Sequence, residues 1–207
     1  DLSFEVEGGE IERFGEMTLT RIGTEDVYFF HSTGGGGYGD PLERDPERVL
    51  KDIRNALVTR ESARETYGVE LDAAGKAVDV AKTTQRRREI RGQRIGRVPE
   101  EQPGGFESGA FKARLNEYLM MVDGRDGPAI ACRCGRMICR ADENYKEHVV
   151  LKELPVEAAG PHVRPTPRAP KKTFVWREFY CPGCALLLTT EVALKEDPVF
   201  WEINPMV

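Results

Sequence analysis

The five cysteines of this 207-residue chain are confined to its second half, and residues 1–131 contain none. Three belong to the segment Cys132-Arg-Cys134-Gly-Arg-Met-Ile-Cys139, and two belong to Cys181-Pro-Gly-Cys184. Two thiolates held by a tight turn can point at one ion, and a second pair from elsewhere completes a tetrahedral site of four sulfurs. Soft thiolates in that array favour Zn²⁺ or iron. The pattern therefore predicts one structural Zn²⁺ ion.

The choice of ligands is clearer for the second pair than for the first. Cys181 and Cys184 have the usual knuckle spacing, and Cys134 precedes a glycine as the last cysteine of a knuckle does. We expect Cys132 to be the fourth ligand, with Cys139 as the alternative. His148 could replace a missing thiol, although a single histidine in a polar segment is usually a surface residue.

Three other interpretations of the cysteines compete with zinc: a redox pair, a rubredoxin-like iron site, and reduced cysteines in a core. A thioredoxin-like pair lies between a strand and a helix. Residues 173–180 and 186–192 instead predict strands on both sides of Cys181-Pro-Gly-Cys184. A closed site of four thiolates has no open position for water or substrate, so the predicted site stabilises the fold and does not catalyse.

The remaining elements of the second half must bring the two cysteine groups together. Apolar residues at helical spacing predict a helix over residues 111–121, whose end could pass into a strand. Residues 141–148 are polar and predict a loop plus a helix. Five prolines predict an extended, non-helical segment at 155–171. A polar stretch at 98–110 is typical of a linker, so we expect domains at 1–97 and 111–207.

The first half combines strands and helices. Alternating residues predict strands at 2–6 and 17–20, and residues 27–30 are a further β-prone run. Three helices are expected after the capping residues Asp45, Thr59 and Asp79, the last running through three consecutive arginines. The first of these helices should present Val49, Leu50, Ile53 and Leu57 on one face, and a short strand is expected at 69–71.

A glycine-rich run stands between the strands and the helices. It could cradle a phosphate with backbone N–H groups, but it lacks the Gly-Lys-Ser/Thr of a P-loop, and a proline separates it from the next helix. The alternative is a tight loop against which another backbone packs closely. The candidate interface or active-site residues here are Gly34, Gly35, Gly36, Gly37, Tyr38, Gly39 and Asp40.

The charge and the apolar content of the chain argue against two classes of protein, nucleic-acid binders and membrane-spanning proteins. The net charge of −5 argues against a general nucleic-acid binder, which needs a cationic face. Residues 86–97 nevertheless hold six arginines and one glutamate, so the rest of the chain carries −10. This basic stripe fits an acidic partner surface or a solvated helix face better than nucleic acid. No apolar run approaches the length of a membrane span. The clustered, odd number of cysteines is typical of a reducing cytoplasm.

Two family resemblances follow from these motifs. The stretch GGGGYGDPLERDPERVLKDIRNALVTRESARETYGVELD, within residues 16–91, resembles the C-terminal end of hydantoinase B-type subunits of hydantoinase, oxoprolinase and ketone carboxylase complexes. Those subunits exceed 500 residues, so most of such a chain is absent here. The segments CRCGRMICRADENYKEH and REFYCPGCALLLTTEVA, within residues 131–205, resemble the small gamma subunit of acetone and acetophenone carboxylases.

Together the two resemblances predict an α+β protein, with a tail segment of β-strands plus helices followed by a small zinc-ribbon-like β module. They imply an accessory subunit of an ATP-dependent ketone carboxylase that docks on hydantoinase A-like and B-like subunits and stabilises them. ATP and a divalent metal would bind to those partners. A subunit of a hydantoinase or oxoprolinase complex is the alternative, and a stand-alone zinc-ribbon binding protein is an alternative of another class.

Overall fold

A computed structural model describes residues 2–6, 10–14, 23–24, 27–30, 37–100, 111–160, 163 and 173–205. It divides the chain into two compact units, Asp1–Tyr38 and Gly39–Val207. The predicted linker at 98–110 does not separate the units. Residues 101–110 lie outside the described ranges, and the division into domains at 1–97 and 111–207 stays a prediction.

The first unit contains one antiparallel sheet of three strands in the order β2-β1-β3. Its strands are β1 (Leu2–Val6), β2 (Glu10–Phe14) and β3 (Val27–Phe30). The alternation at residues 2–6 and the β-prone run at 27–30 therefore correspond to strands, whereas β2 was not predicted. The strand expected at 17–20 lies outside the described residues.

In the second unit, a 3-10 helix (Pro41–Glu43) is followed by three α-helices: α1 (Pro46–Arg54), α2 (Arg60–Glu65) and α3 (Val80–Ile95). All three begin as predicted, because the side chains of Asp45, Thr59 and Asp79 accept hydrogen bonds from free amides in the first turn. The described part of the chain contains no helix with the length and apolar character that crossing a membrane requires.

A small apolar core joins α1 and α2. Val49, Ala63 and Val69 are buried together, and Ile53 packs against them. The expectation that Leu57 shares this face is wrong, since α1 ends at Arg54 and the chain turns away, leaving Leu57 73% exposed. The strand expected at 69–71 is reduced to a single antiparallel bridge between Leu71 and Val78.

Two antiparallel sheets follow the helices. One has the order β4-β5-β6-β7 and the other the order β10-β9-β8. Leu119, Ile130, Leu186 and Leu188 belong to the largest apolar cluster of the described residues, which also contains four of the cysteines. The strands are β4 (Phe111–Arg114), β5 (Leu119–Gly124), β6 (Gly127–Cys132), β7 (Met137–Arg140), β8 (Val150–Pro155), β9 (Phe174–Tyr180) and β10 (Leu187–Leu194).

The helix expected at 111–121 is wrong, because a turn at Asn116 divides this segment into β4 and β5. The side chain of Asn116 accepts hydrogen bonds from the amides of Tyr118 and Leu119, both at 2.8 Å. The Leu115 amide bonds to the carbonyl of Leu119 and closes the hairpin. An asparagine that binds nearby amides in this way competes with helix formation, and the apolar spacing alone does not reveal it.

Two short 3-10 helices lie in the segments for which a loop plus a helix and an extended chain were predicted. Tyr145–His148 forms one, in agreement with the loop and helix predicted at 141–148, yet Tyr145 and Lys146 are buried despite the polar sequence. Val156–Ala159 forms the other, so the segment 155–171 is not wholly non-helical. The predicted strands on either side of Cys181-Pro-Gly-Cys184 are present as β9 and β10. The fold is α+β, and its cysteine-bearing sheets are compatible with a zinc-ribbon-like module.

Candidate metal centre

Four cysteine thiols converge between the two sheets. The sulfur atoms of Cys132, Cys134, Cys181 and Cys184 all lie within 4.8 Å of one another, and all four residues are buried. Cys132 Sγ is 3.9 Å from Cys184 Sγ, and Cys134 Sγ is 3.8 Å from Cys181 Sγ. Sulfurs about 2.3 Å from one tetrahedral ion stand about 3.8 Å apart. The four thiols could therefore hold one metal ion.

The first pair lies where β6 ends and turns back towards β7. The Cys132 amide donates to the carbonyl of Arg136, and the Gly135 amide donates to the carbonyl of Cys132, both at 2.9 Å. Gly135 has a φ of +95°, in the region that favours glycine. This tight turn lets a pair with only one residue between its members direct both thiols to the same place.

The second pair lies in the turn between β9 and β10, hereafter the knuckle (Cys181–Leu186). The Cys181 amide donates to the carbonyl of Leu186 at 2.9 Å, and the Ala185 amide donates to the carbonyl of Cys181 at 3.0 Å. Ala185 takes the left-handed conformation, with a φ of +58°. The hydrogen bonds close the loop with Cys181 and Cys184 on its inner side.

The thiols are close enough to share protons. Hydrogen bonds with Cys134, Cys181 and Cys184 raise the pKa of Cys132, and the hydrogen bond from Cys132 is the largest cause of the lowered pKa of Cys134. Neighbouring thiols of this kind cannot all ionise without a cation between them, since like charges oppose ionisation. Four soft, buried, converging sulfurs with no carboxylate or histidine among them fit a closed thiolate site for Zn²⁺ or iron.

The structure separates Cys139 from this group. Cys139 lies on β7, and its sulfur is 4.0 Å from the carbonyl of Glu143. Burial and the nearby carboxylates of Glu143 and Asp142 raise the pKa of Cys139 to about 12. His148 is also outside the group, and its imidazole lies 3.9 Å from Glu143. Among the described residues, Cys132 and not Cys139 completes the four-thiol cluster.

The glycine-rich run ends beside this centre. Gly34, Gly35 and Gly36 lie outside the described residues, and Tyr38 is strongly exposed. Gly39 has a φ of +80°, and a Cβ atom there would collide with the hydroxyl of Tyr118. The prediction was that another backbone packs closely against this run, but the group in contact at Gly39 is the Tyr118 side chain.

Asp40 follows this glycine, and its carboxylate is completely buried. Its oxygens accept hydrogen bonds from both terminal nitrogens of Arg94 at 2.6 and 2.9 Å, from the Leu42 amide at 2.9 Å and from the Leu187 amide at 3.0 Å. Burial alone would raise the pKa of Asp40, but the hydrogen bonds and charge of Arg94, with the two amides, lower it. Asp40 is thus held as an anion beside the knuckle.

The arginine stripe of α3 is largely used inside the chain. Arg94 also donates to the carbonyl of Ala185 and stacks over the Tyr180 ring, with its guanidinium carbon 5.1 Å from the ring centre. Arg97, just after the helix, donates to the carbonyl of Pro182. Arg91 pairs with Glu43, as does Arg133 of the first cysteine turn. The sequence indicated that this helix is basic. It did not indicate that carbonyls and carboxylates of the same chain accept hydrogen bonds from its arginines.

Sequence reasoning also missed a buried lysine in this module. The ammonium group of Lys146 lies 2.9 Å from Glu191 and 2.8 Å from Glu202, and it stacks over the Phe179 ring. An open cavity of about 660 Å³ adjoins it, lined by residues 191–193 and 197–202. Because the carboxylates beside the ammonium group already neutralise it, this cavity offers no unpaired charge at Lys146 to a ligand.

Comparison with known proteins relates the cysteine-bearing half of the chain to one protein family. Residues 110–207 match the family model of the acetone carboxylase gamma subunit. The chain is 36% identical over 116 residues to the acetophenone carboxylase delta subunit of Aromatoleum aromaticum, an alignment that covers 56% of this chain and 16% of that relative. This part of the chain is therefore similar to the acetone carboxylase gamma subunit.

Two further relatives come from other enzyme classes. The chain is 40% identical over 73 residues to the caprolactamase beta chain of Pseudomonas jessenii, covering 35% of this chain and 13% of that relative. It is 44% identical over 54 residues to a protein of Pseudomonas sp. (strain NS671) that is named as the B-type component of a D-/L-hydantoinase, covering 26% and 9%. The predicted double resemblance is confirmed. The chain spans 16% or less of the length of these three relatives.

Proposed function

We propose that this chain is a zinc-binding accessory part of an ATP-dependent ketone carboxylase of the acetone or acetophenone type. The observation that carries the proposal is the coincidence of the gamma-subunit domain with a closed set of four converging thiols. Relatives named as carboxylase subunits support that context. The proposed ligands of one structural Zn²⁺ ion are Cys132, Cys134, Cys181 and Cys184.

The chemistry of the site supports a structural role for the ion and not a catalytic one. A tetrahedral ion with four thiolates has no position for substrate or water, so the ion would hold two chain segments together. Both cysteine turns are buried in one cluster and would become a single rigid unit on metal binding. ATP, a divalent metal and the carboxylation step would belong to hydantoinase A-like and B-like partner subunits in the cytoplasm.

The composition of the purified complex tests this proposal. We expect native mass spectrometry to show this chain with large partner subunits and metal analysis to give one zinc per copy. The complex should hydrolyse ATP when a ketone and bicarbonate are both present. The chain alone should not, and robust turnover by the isolated chain would overturn the accessory role.

A cyclic-amide hydrolase complex is the second candidate, because relatives named as caprolactamase and hydantoinase components share part of the chain. A parallel screen of the complex with a ketone plus bicarbonate and with a lactam or hydantoin separates the two. The gamma-type domain favours the ketone. A stand-alone binding protein is less well supported, because Arg91, Arg94 and Arg97 are engaged within the chain. Salt-sensitive co-purification with RNA would favour it.

A further inference from the structure

Asp40 is linked by hydrogen bonds to both halves of the candidate metal centre. Its carboxylate accepts from the Leu187 amide, the first residue after the knuckle. Its own amide donates to the hydroxyl of Tyr118 at 2.8 Å. The carbonyl of Tyr118 in turn accepts from the amide of Arg133, between Cys132 and Cys134, at 2.8 Å. One residue at the end of the glycine-rich run is therefore connected to both cysteine turns.

The knuckle also holds the end of α3 and the segment after it. Its outer carbonyls at Pro182, Gly183 and Ala185 accept hydrogen bonds from Arg97, from the Glu100 amide and from Arg94. The same short loop thus carries two thiols on its inner side and three occupied acceptors on its outer side. A shift of the loop would disturb all these bonds together, because residues 181–186 carry both the thiols and the acceptors.

We infer that Asp40 is a positioning residue. It links metal binding at the two cysteine turns to the placement of the end of the glycine-rich run, at Gly39. The ion would fix the distance between the two cysteine turns, and the hydrogen bonds of Asp40 span those turns. Loss of the ion would then release Asp40, Arg94 and the residues that follow Asp40. The coupling must be reciprocal, so that loss of the Asp40 carboxylate would loosen the ion. This inference rests on the proposed zinc binding.

Metal release from the full chain tests the link. With the chain loaded with Zn²⁺ and mixed with excess chelator, we expect Asp40→Asn to release the ion at least tenfold faster than the wild type. Asp45→Asn is the matched control: it removes the same charge five residues away and keeps a capping side chain, so its rate should stay within twofold. Equal rates for Asp40→Asn and the wild type would overturn the inference.

A second pair of variants keeps the test valid if Asp40→Asn fails to fold. Tyr118→Phe removes only the hydroxyl that binds the Asp40 amide, and we expect release several-fold faster. Tyr145→Phe removes a buried hydroxyl of the same module that bonds to Glu202, not to Asp40, and serves as its control. Val49→Ala destabilises the separate helical core. If it accelerates release as much as Asp40→Asn does, the effect is general destabilisation and the inference is wrong.

Hydrogen exchange tests the opposite direction. Removing the metal from the wild type should raise amide exchange at residues 42–44 and 90–96 at least tenfold, while residues 60–66 keep their protection. Unchanged exchange at 42–44 would contradict the link. If the chain takes up no zinc, or if Cys184→Ser binds it as tightly as the wild type does, the zinc part of the proposed function fails. If zinc binds through the cysteines but Asp40→Asn has no effect, only this inference fails.

Discussion

The helical segment at residues 41–95 and the module at 111–205 are built around different kinds of core. The helices have capped ends and an apolar core around Val49, Ala63 and Val69. The main core of the module instead includes four cysteines, whose thiols occupy the place where the two sheets meet. Ordinary apolar burial can support the first region. In the second, candidate metal ligands occupy part of the core, so we expect its stability to depend on an ion.

Loss of the ion should produce the largest difference between the regions. Structural zinc sites supply about 10–16 kcal/mol of apparent binding free energy. Cys184→Ser, or chelation of the wild type, should therefore unfold the module while α1 and α2 keep part of their helical signal. Near-ultraviolet circular dichroism reports the packing of the module, far-ultraviolet circular dichroism reports the helices, and metal analysis gives the zinc content. Cys139→Ser is the control and should keep its metal. If the module of Cys184→Ser stays folded and still unfolds in one cooperative transition, its stability does not depend on an ion.

The contact between the regions is the next target. Asp40→Asn leaves the buried guanidinium of Arg94 without its counter-charge, which typically costs about 3–5 kcal/mol. Urea unfolding of the metal-loaded protein measures the loss, with Asp45→Asn as the exposed comparison. A loss for Asp40→Asn no greater than that for Asp45→Asn would show that the pair does not join the regions.

The same pair predicts the direction of a pH effect. The folded pKa of Asp40 is below its usual value, so its stabilising contribution is complete above the unfolded pKa of about 3.9 and disappears as pH falls through the folded pKa. The stability difference between the wild type and Asp40→Asn should be flat from pH 7 to about pH 5 and narrow below about pH 4. Unfolding measured at equal metal loading tests this, and a gap that widens in acid would contradict it.

A smaller effect should remain within the helical region. Val49→Ala removes two buried carbons from a fully buried site, at a cost of about 2 kcal/mol. The loss should appear in hydrogen exchange of α1 and α2, with metal content unchanged. Leu57→Ala, at an exposed position just beyond α1, is the matched control and should change stability by less than about 0.5 kcal/mol.

The smallest effect should come from a helix cap. Thr59 accepts a hydrogen bond from the Ser62 amide at the start of α2. Thr59→Ala should cost about 1 kcal/mol, felt as fraying of that helix. Thr59→Ser keeps the hydroxyl and should restore most of the loss, as judged by thermal unfolding. An equal loss in both variants would point to packing in place of capping.

The parts of this architecture that the sequence predicts are the ones governed by short spacings. The caps at Asp45, Thr59 and Asp79, and the strands around the knuckle, follow from neighbouring residues. The spacing at Cys132–Cys139 left the fourth thiol open, because only the turn at Gly135 decides which sulfur faces inward. The Asp40–Arg94 pair was missed, since its partners are 54 residues apart and each alone resembles a surface charge.

The hydrogen bond between Asp40 and Leu187 has a consequence for synthesis on the ribosome. Its two residues are 147 positions apart. At about 5–20 residues per second, Asp40 leaves the peptidyl-transferase centre roughly 7–30 seconds before Leu187 is made. During that interval the Asp40 carboxylate lacks the Leu187 amide, and Arg94, which is made 54 residues after Asp40, lacks its acceptor at Ala185, because the knuckle does not yet exist. The early helices are therefore translated well ahead of the surface on which they finally dock.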